Sequence, residues 1–345
     1  MAVTNIADLW VPDIWIRGID EQARNLPSLM TSGAVVRSGV LDGIASGGGV
    51  SANLPFFKDI TDLAEVIQVE NVAAALEKIT SGRNVAPILN RQIAFAASAL
   101  SAGVSGDDPI GGITRQMAQH RQKRTMVTLL NVLSGIFGAA GASGAAAPLQ
   151  AVRQDNFVED PATTIPADQS KYLIDNAKFH QAAALMGELQ ESLVNGAIWM
   201  HPKVRASLIT QDSNSFERDS RGDFILERYK GFPIYVSNLL QRAGTTSGFV
   251  YYTYLLAAGV VGWGEKPQVG DQIDVASLQF YRRPDINEEQ IYDRRRYLAH
   301  INGMRFIGVP AGQSATNAEL ATTASWSLQY QSADRVGAVL MRTNG

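Results

Sequence analysis

Four histidines, at positions 120, 180, 201 and 300, are the side chains best suited to proton transfer or metal binding in this chain. None has a second ligand-type residue at the spacing of a zinc motif, HExxH is absent, and the lack of cysteine removes thiolate ligands and thiol nucleophiles together. Structural roles are expected for all four. Gly103-Val-Ser-Gly-Asp107 fails the G-x-S-x-G nucleophile elbow at its last position. Gly47-Gly48-Gly49 has no lysine behind it, so it is not read as a phosphate cradle. Asp107-Asp108 has the form of a metal-binding pair, but the capping role of a carboxylate immediately before Pro109 explains it and is the expected reading. Glu288 and Glu289 with Arg294, Arg295 and Arg296 imitate acid–base machinery; a solvated turn or an inter-subunit charge network is the expected reading. Arg221-Gly-Asp223 spells an adhesion tripeptide in front of a strand and is assigned to chance. The basic run His120 to Arg124 either faces a polyanion or forms the wet side of a half-buried helix, and the second reading is preferred. No catalytic, cofactor-binding or metal residue is therefore assigned.

The totals agree with a non-catalytic role. With 345 residues the chain can bury a substantial core, and a net charge of −3 argues against a dedicated nucleic-acid-binding surface. Absence of cysteine suits synthesis in a reducing cytoplasm. The start, Met-Ala-Val-Thr-Asn, lacks the blocks of a signal peptide, and no apolar run approaches the ~20 residues of a membrane span.

The elements are unusual in kind. Pro109 to Phe137 contains no further proline and no acidic residue, and Met126, Leu130, Leu133 and Phe137 mark one face of a helix. At about 1.5 Å per residue this is a rod of roughly 43 Å, ended by the glycine- and alanine-rich stretch 138–148. Residues 1–50 hold Trp10 and Trp15 with little chain to bury them; a short helix is expected from Pro12 to Asn25. Asn53 to Lys58, Glu65 to Glu70 and Val85 to Ala99 read as strands of a long hairpin that needs a partner surface. Residues 150–265 alternate helix and strand: a helix from Asp175 to Asn195, a strand Ala197 to Met200, a helix after Pro202, strands Asp223 to Arg228 and Phe232 to Ser237, and a buried strand from Phe249 to Val261. The remainder returns to strands at Ile273 to Tyr281, Arg294 to His300, Gly303 to Phe306, Trp326 to Tyr330 and Val339 to Arg342. An arm, a girder helix and a hairpin without a core describe a subunit completed by its neighbours. The residues expected at such contacts are Trp10, Trp15, Phe56, Phe57, Lys58, Glu65, Glu70, Arg83, Glu288, Glu289, Arg294, Arg295 and Arg296.

In order along the chain, the sequence resembles the major capsid proteins of tailed bacteriophages, those with the Hong Kong 97-like fold. The resemblance is carried by Asn53-Leu-Pro-Phe-Phe57, by Val104-Ser-Gly-Asp-Asp-Pro109 before the long helix, and by the break at 138–144. It continues in Ala197-Ile-Trp-Met-His-Pro-Lys-Val204, Lys230-Gly-Phe-Pro-Ile-Tyr-Val-Ser237 and Tyr254-Leu-Leu-Ala-Ala-Gly-Val-Val-Gly-Trp263. It implies an α+β fold: an N-arm (1–52), an extended E-loop hairpin (53–102), and a P-domain spine helix with its break (103–149). An A-domain with a central sheet flanked by helices (150–265) follows, then the P-domain strands and C-terminus (266–345). The resemblance also implies self-assembly into hexamers and pentamers of an icosahedral shell around double-stranded DNA, held by non-specific contact. A separate scaffolding protein, a portal and a decoration protein are the implied partners, with assembly in the host bacterial cytoplasm, no cofactor and no membrane. Lys58 and Lys78 lie in the hairpin, but no glutamate pocket matches the cross-linking chemistry of some members. The alternatives are an encapsulin-like compartment and an α/β enzyme with an unrecognised site in 150–265.

Overall fold

A strand of 18 residues, Ser81–Ser98, is the backbone of the first of two sheets. The computed structural model describes residues 29–345 except 61–62, 69, 71–72, 74–75, 99, 101–108, 142–143, 160–171, 212–215, 219–223, 245–247 and 271–272. Trp10, Trp15, the expected helix from Pro12, Asp107, Asp108 and the Arg221-Gly-Asp223 tripeptide lie outside the described residues, wholly or in their key positions.

The long strand changes partner along its length. It pairs with Ser51–Phe57 as far as Pro87, and from Ile88 onward with the 14-residue strand Glu288–Ile301. Proline cannot donate to a ladder, and Pro87 stands where one partner gives way to the other. Val35–Arg37, Val261–Glu265, Ser277–Arg283, Met304–Phe306 and Trp326–Leu328 belong to the same nine-stranded sheet. The second sheet, of eight strands, runs Arg153–Asn156, Ala338–Thr343, Phe249–Leu256, Ala197–Met200, Phe232–Val236, Phe224–Tyr229 and Phe216–Arg218, with Gln241–Ala243 beside Phe249–Leu256.

Four expectations need correction. The C-terminal strand, read as completing the first sheet with the other late strands, lies inside the second, between Arg153–Asn156 and Phe249–Leu256. All six of its residues are buried, which an interior position explains. The run Phe249 to Val261 is two strands in two sheets, separated by a turn at Gly259 (φ +72°). Asp175 to Asn195 is not one helix. Asn176–Ala184 is α-helical with Asp175 as its N-cap, and the chain re-enters as a 3-10 helix, Gly187–Asn195, after Gly187 takes φ +55°. Glu65 to Glu70 forms no strand among its described residues, and none of the described strands pairs with it.

The long helix, Pro109–Phe137, joins the sheets. Its first half is largely exposed from Thr114 to Gln119, broken by buried Met117, whereas Leu129, Val132, Leu133, Ile136 and Phe137 are fully buried. Thr128 Oγ1 lies 3.2 Å from the Tyr297 hydroxyl of the first sheet, and the Phe137 ring sits 5.8 Å from Tyr254 of the second. Leu130, expected at the centre of the apolar stripe, is only partly buried. One helix also went unread: Gly39–Ser46, capped by the Ser38 side chain. Asp42 anchors it by accepting from the Glu265 N–H at 2.8 Å. Gly264 permits this approach, since a Cβ there would fall 2.4 Å from the Leu41 backbone.

The glycine-rich break that follows the long helix is pinned. Arg153 donates to Phe137 O (2.7 Å) and Ala145 O (2.9 Å), and Arg342 donates to Ala139 O (2.9 Å) and to Gly141 O. Asp155 bridges the two guanidiniums, accepting from Arg342 at 2.6 and 2.7 Å and from Arg153 at 3.2 Å. Burial works to raise the Asp155 carboxyl, but hydrogen bonds from Arg342 and the Gly144 amide, with both arginine charges, hold it below the usual range.

Candidate assembly interface

Among the described residues, the hairpin loop is tied to the body at its base. Ser51–Phe57 and Ser81–Ser98 run in register from Ser51 opposite Pro87 to Phe57 opposite Ser81. The Phe56 ring meets Tyr330 edge-on at 5.4 Å, and Asp59 pairs with Arg335. Gly82 leaves room for that Phe56 ring, which a Cβ would meet at 2.6 Å. Beyond this point Ile60, Leu63, Val66, Ile67, Leu76 and Ile79 are all exposed, Ile67 at 86% and Leu76 at 96%. Phe57 is exposed at 80%, and Lys58, Glu65, Glu70 and Arg83 are exposed as well. Six large apolar side chains within twenty residues are more than scattered surface residues would place there.

The charged residues of the late strands divide into two groups. Arg282 with Glu289 (2.6 Å) and Arg283 with Asp285 (2.9 Å) form the solvated turn expected there. Glu288 is buried and accepts from Gln290 at 2.7 Å. Arg294 spans three strands, donating to Gln92 (3.1 Å), Ser277 (3.4 Å) and Gln279. Arg295 and Arg296, expected at a solvated turn or between subunits, face inward. Arg295 holds Glu265 with two bonds (2.8 and 3.1 Å) and stacks over Tyr297; Arg296 donates to Ala45 O (2.8 Å), Gly47 O (2.7 Å) and Gly49 O (2.9 Å), closing the end of the N-terminal helix. Strand alternation sends one of any two neighbours to each face, and here both faces are covered.

The basic run on the long helix is partly neutralised. Arg121 holds Asp293 with two bonds (2.7 and 2.9 Å), and Arg124 is exposed. His120 titrates below its ordinary value, first because of burial and then because of Arg124. His201 is lowered by burial and by Lys203, and its Nδ1 accepts from the Lys203 N–H at 3.1 Å. His180 lies 2.7 Å from the Lys230 ammonium. Burial alone brings His300 down to about 4. Among the described residues no three histidine, aspartate or glutamate side chains gather where a metal would need them, and no helix is long and apolar enough to cross a membrane.

No family model matches the chain. In its fold it is similar to the capsid of Ralstonia phage GP4, with a TM-score of 0.61 over 97% of this chain and 96% of that one, at 11% identity. Similar too are the cyanophage Pam1 capsid asymmetric unit (TM-score 0.60, 9% identity, 96% of both chains) and a chain of Mycobacterium phage Che8 (0.53, 12%, 97% of both). The chain has the Hong Kong 97-like α+β fold of tailed-phage capsids. In sequence it is 24% identical over 335 residues to the major capsid protein of Bacillus phage SPP1, covering 96% of this chain and 95% of that protein. Fold and sequence together support a shell-forming capsid protein.

Proposed function

We propose that copies of this chain form the hexamers and pentamers of an icosahedral shell that encloses double-stranded DNA in a phage head. The observation that carries this reading is the hairpin, whose apolar side chains have no cover among the described residues. Burying each would contribute about 1.5–3 kcal/mol before the entropy of association is subtracted. A phage relative along nearly the whole length, and neighbours that are phage capsids, favour a genome shell over a cargo compartment.

In this reading residues 1–52 are the N-arm, 53–102 the E-loop and 103–149 the spine helix with its break. The axial domain takes 150–265 and, on the strand pairing, also Ala338–Thr343. The other late strands belong to the peripheral domain. A net charge of −3 lets an inner wall contain DNA without gripping it. A scaffolding protein, a portal and a decoration protein would be the heterologous partners, and assembly would take place in the host bacterial cytoplasm. The role is structural, with no catalytic step.

Negative-stain microscopy of the purified protein tests this. Closed or tubular multimers with uniform repeating capsomers are expected, and particles from infected cells should contain DNA. A preparation holding only the 37.2 kDa monomer at high concentration would contradict it.

A further inference from the structure

A cleft of about 270 Å³ opens beside the hairpin base, where Ser51–Phe57, Ser81–Ser98 and Met304–Phe306 meet. Its charged lining residues are Arg83 and Arg305, and no carboxylate lines it. Arg83 is exposed, and the Nε of Arg305 is buried without a hydrogen-bond partner. Leaving a buried N–H of a cation unsatisfied costs more than leaving a neutral one. Two arginines that line one cleft without an acid call for an anion, and a carboxylate accepts from a guanidinium fork with two bonds. The rest of the wall is mixed, with Ser51 and Asn53 beside the apolar Val50, Val85, Phe306, Ile307 and Pro310.

The hairpin loop carries the complement. Between Lys58 and Thr80 stand five carboxylates and two lysines. Asp59 is already committed to Arg335, whereas Glu65, Glu70 and Glu77 are exposed, and no ion pair reaches them among the described residues. These acids alternate with exposed Val66, Ile67 and Leu76, a pattern that suits two arginines bordered by Val50, Phe306, Ile307 and Pro310 better than a phosphate backbone would. From Phe57 to Glu70 the chain can extend up to about 40 Å, enough to leave its own body.

Resting on the shell reading, we infer that the Arg83–Arg305 cleft receives the hairpin loop of a second copy, its Glu65, Glu70 and Glu77 carboxylates pairing with the two guanidiniums. Each copy then offers one loop and one cleft. Such a head-to-tail contact closes into a ring when the rotation permits.

Charge exchange tests the pairing in the full chain. Reversing the cleft (R83E/R305E) or the loop (E65R/E70R/E77R) should raise the concentration needed for assembly at least tenfold. Combining all five should bring it back to within about threefold of the unaltered chain. Reversals that leave assembly unchanged, or a combined variant as impaired as the worse of its parents, would overturn the pairing. A second arm does not depend on shells: a fluorescent peptide of residues 59–80 should bind unassembled protein, at least tenfold more weakly to R83E/R305E. The same loss is expected when the three glutamates of the peptide become glutamine. Equal binding to both proteins would overturn the proposal, as would no peptide binding while a short DNA duplex binds through Arg83 and Arg305. An unaltered chain that stays monomeric yet holds the peptide in this cleft would defeat the shell reading alone.

Discussion

His300 occupies a position in the first sheet where its neighbours leave little room for charge. It lies next to Gly262, in space that Leu41 of the N-terminal helix also covers, and burial alone lowers it to about 4. The sign follows from proton counting. Between about pH 6.5 and 4 the unfolded chain holds a proton on this imidazole and the folded chain does not, so stability rises with pH across that window. At about 1.4 kcal/mol per pH unit, up to roughly 3 kcal/mol should be lost on acidification. His300→Leu should remove that slope in urea denaturation of the unassembled protein at pH 7 and pH 4.5; an unchanged slope would rule His300 out as its source. Asp155 acts in a lower window, because a depressed carboxylate loses its contribution only as pH falls through its lowered folded value. Burial also separates the arginines by role. Arg295, Arg296 and Arg342 close off groups of their own chain, while Arg83 and Arg305 do not.

At the scale of elements, the long helix shows what a one-dimensional pattern conveys and what it misses. Proline at its start, the absence of acids and prolines within it and the glycine stop made its limits legible, and it spans Pro109–Phe137. Of the expected buried face, Met126, Leu133 and Phe137 are fully buried and Leu130 is not, because a helix held between two sheets is covered on several sides near its end and a single stripe no longer describes it. Leu129 is fully buried and Leu130 partly so. Leu129→Asp should therefore abolish soluble expression, since it places a carboxylate where no water or partner reaches. Leu130→Asp should yield folded protein that is less stable by a few kcal/mol in denaturant titration, in keeping with partial burial. Equal failure of both would mean that the face has been assigned wrongly. The destination of the last strand was beyond reach for another reason: Val339 to Arg342 is apolar enough for either sheet, and only its neighbours decide. Arg342 did leave a trace, because an arginine in such a strand needs a buried acceptor. Its partner Asp155 is 187 positions away in sequence, a distance that local periodicity does not bridge. Of the residues proposed for the interface, the hairpin set rests on Phe56, Phe57 and the coreless loop, whereas Arg305 carries no sequence signal because a lone arginine in a short strand resembles any surface residue.

The whole molecule is organised around surfaces it does not fill. Two sheets and a connecting helix make a sound core, and from it projects a hairpin that none of the described residues covers. In a closed shell every copy would both offer and receive such a hairpin, so removal of one segment should undo the assembly while sparing the subunit. The strands remain paired as far as Lys58 and Thr80, where the Lys58 N–H reaches Thr80 O at 2.9 Å, so residues 60–79 can be replaced by a two-residue turn without disturbing the sheet. Sedimentation velocity of the unaltered chain against this replacement is the most direct test. Large multimers are expected for the first and a folded monomer, with an unchanged circular-dichroism melt, for the second. Shells of normal size from the shortened chain would contradict this.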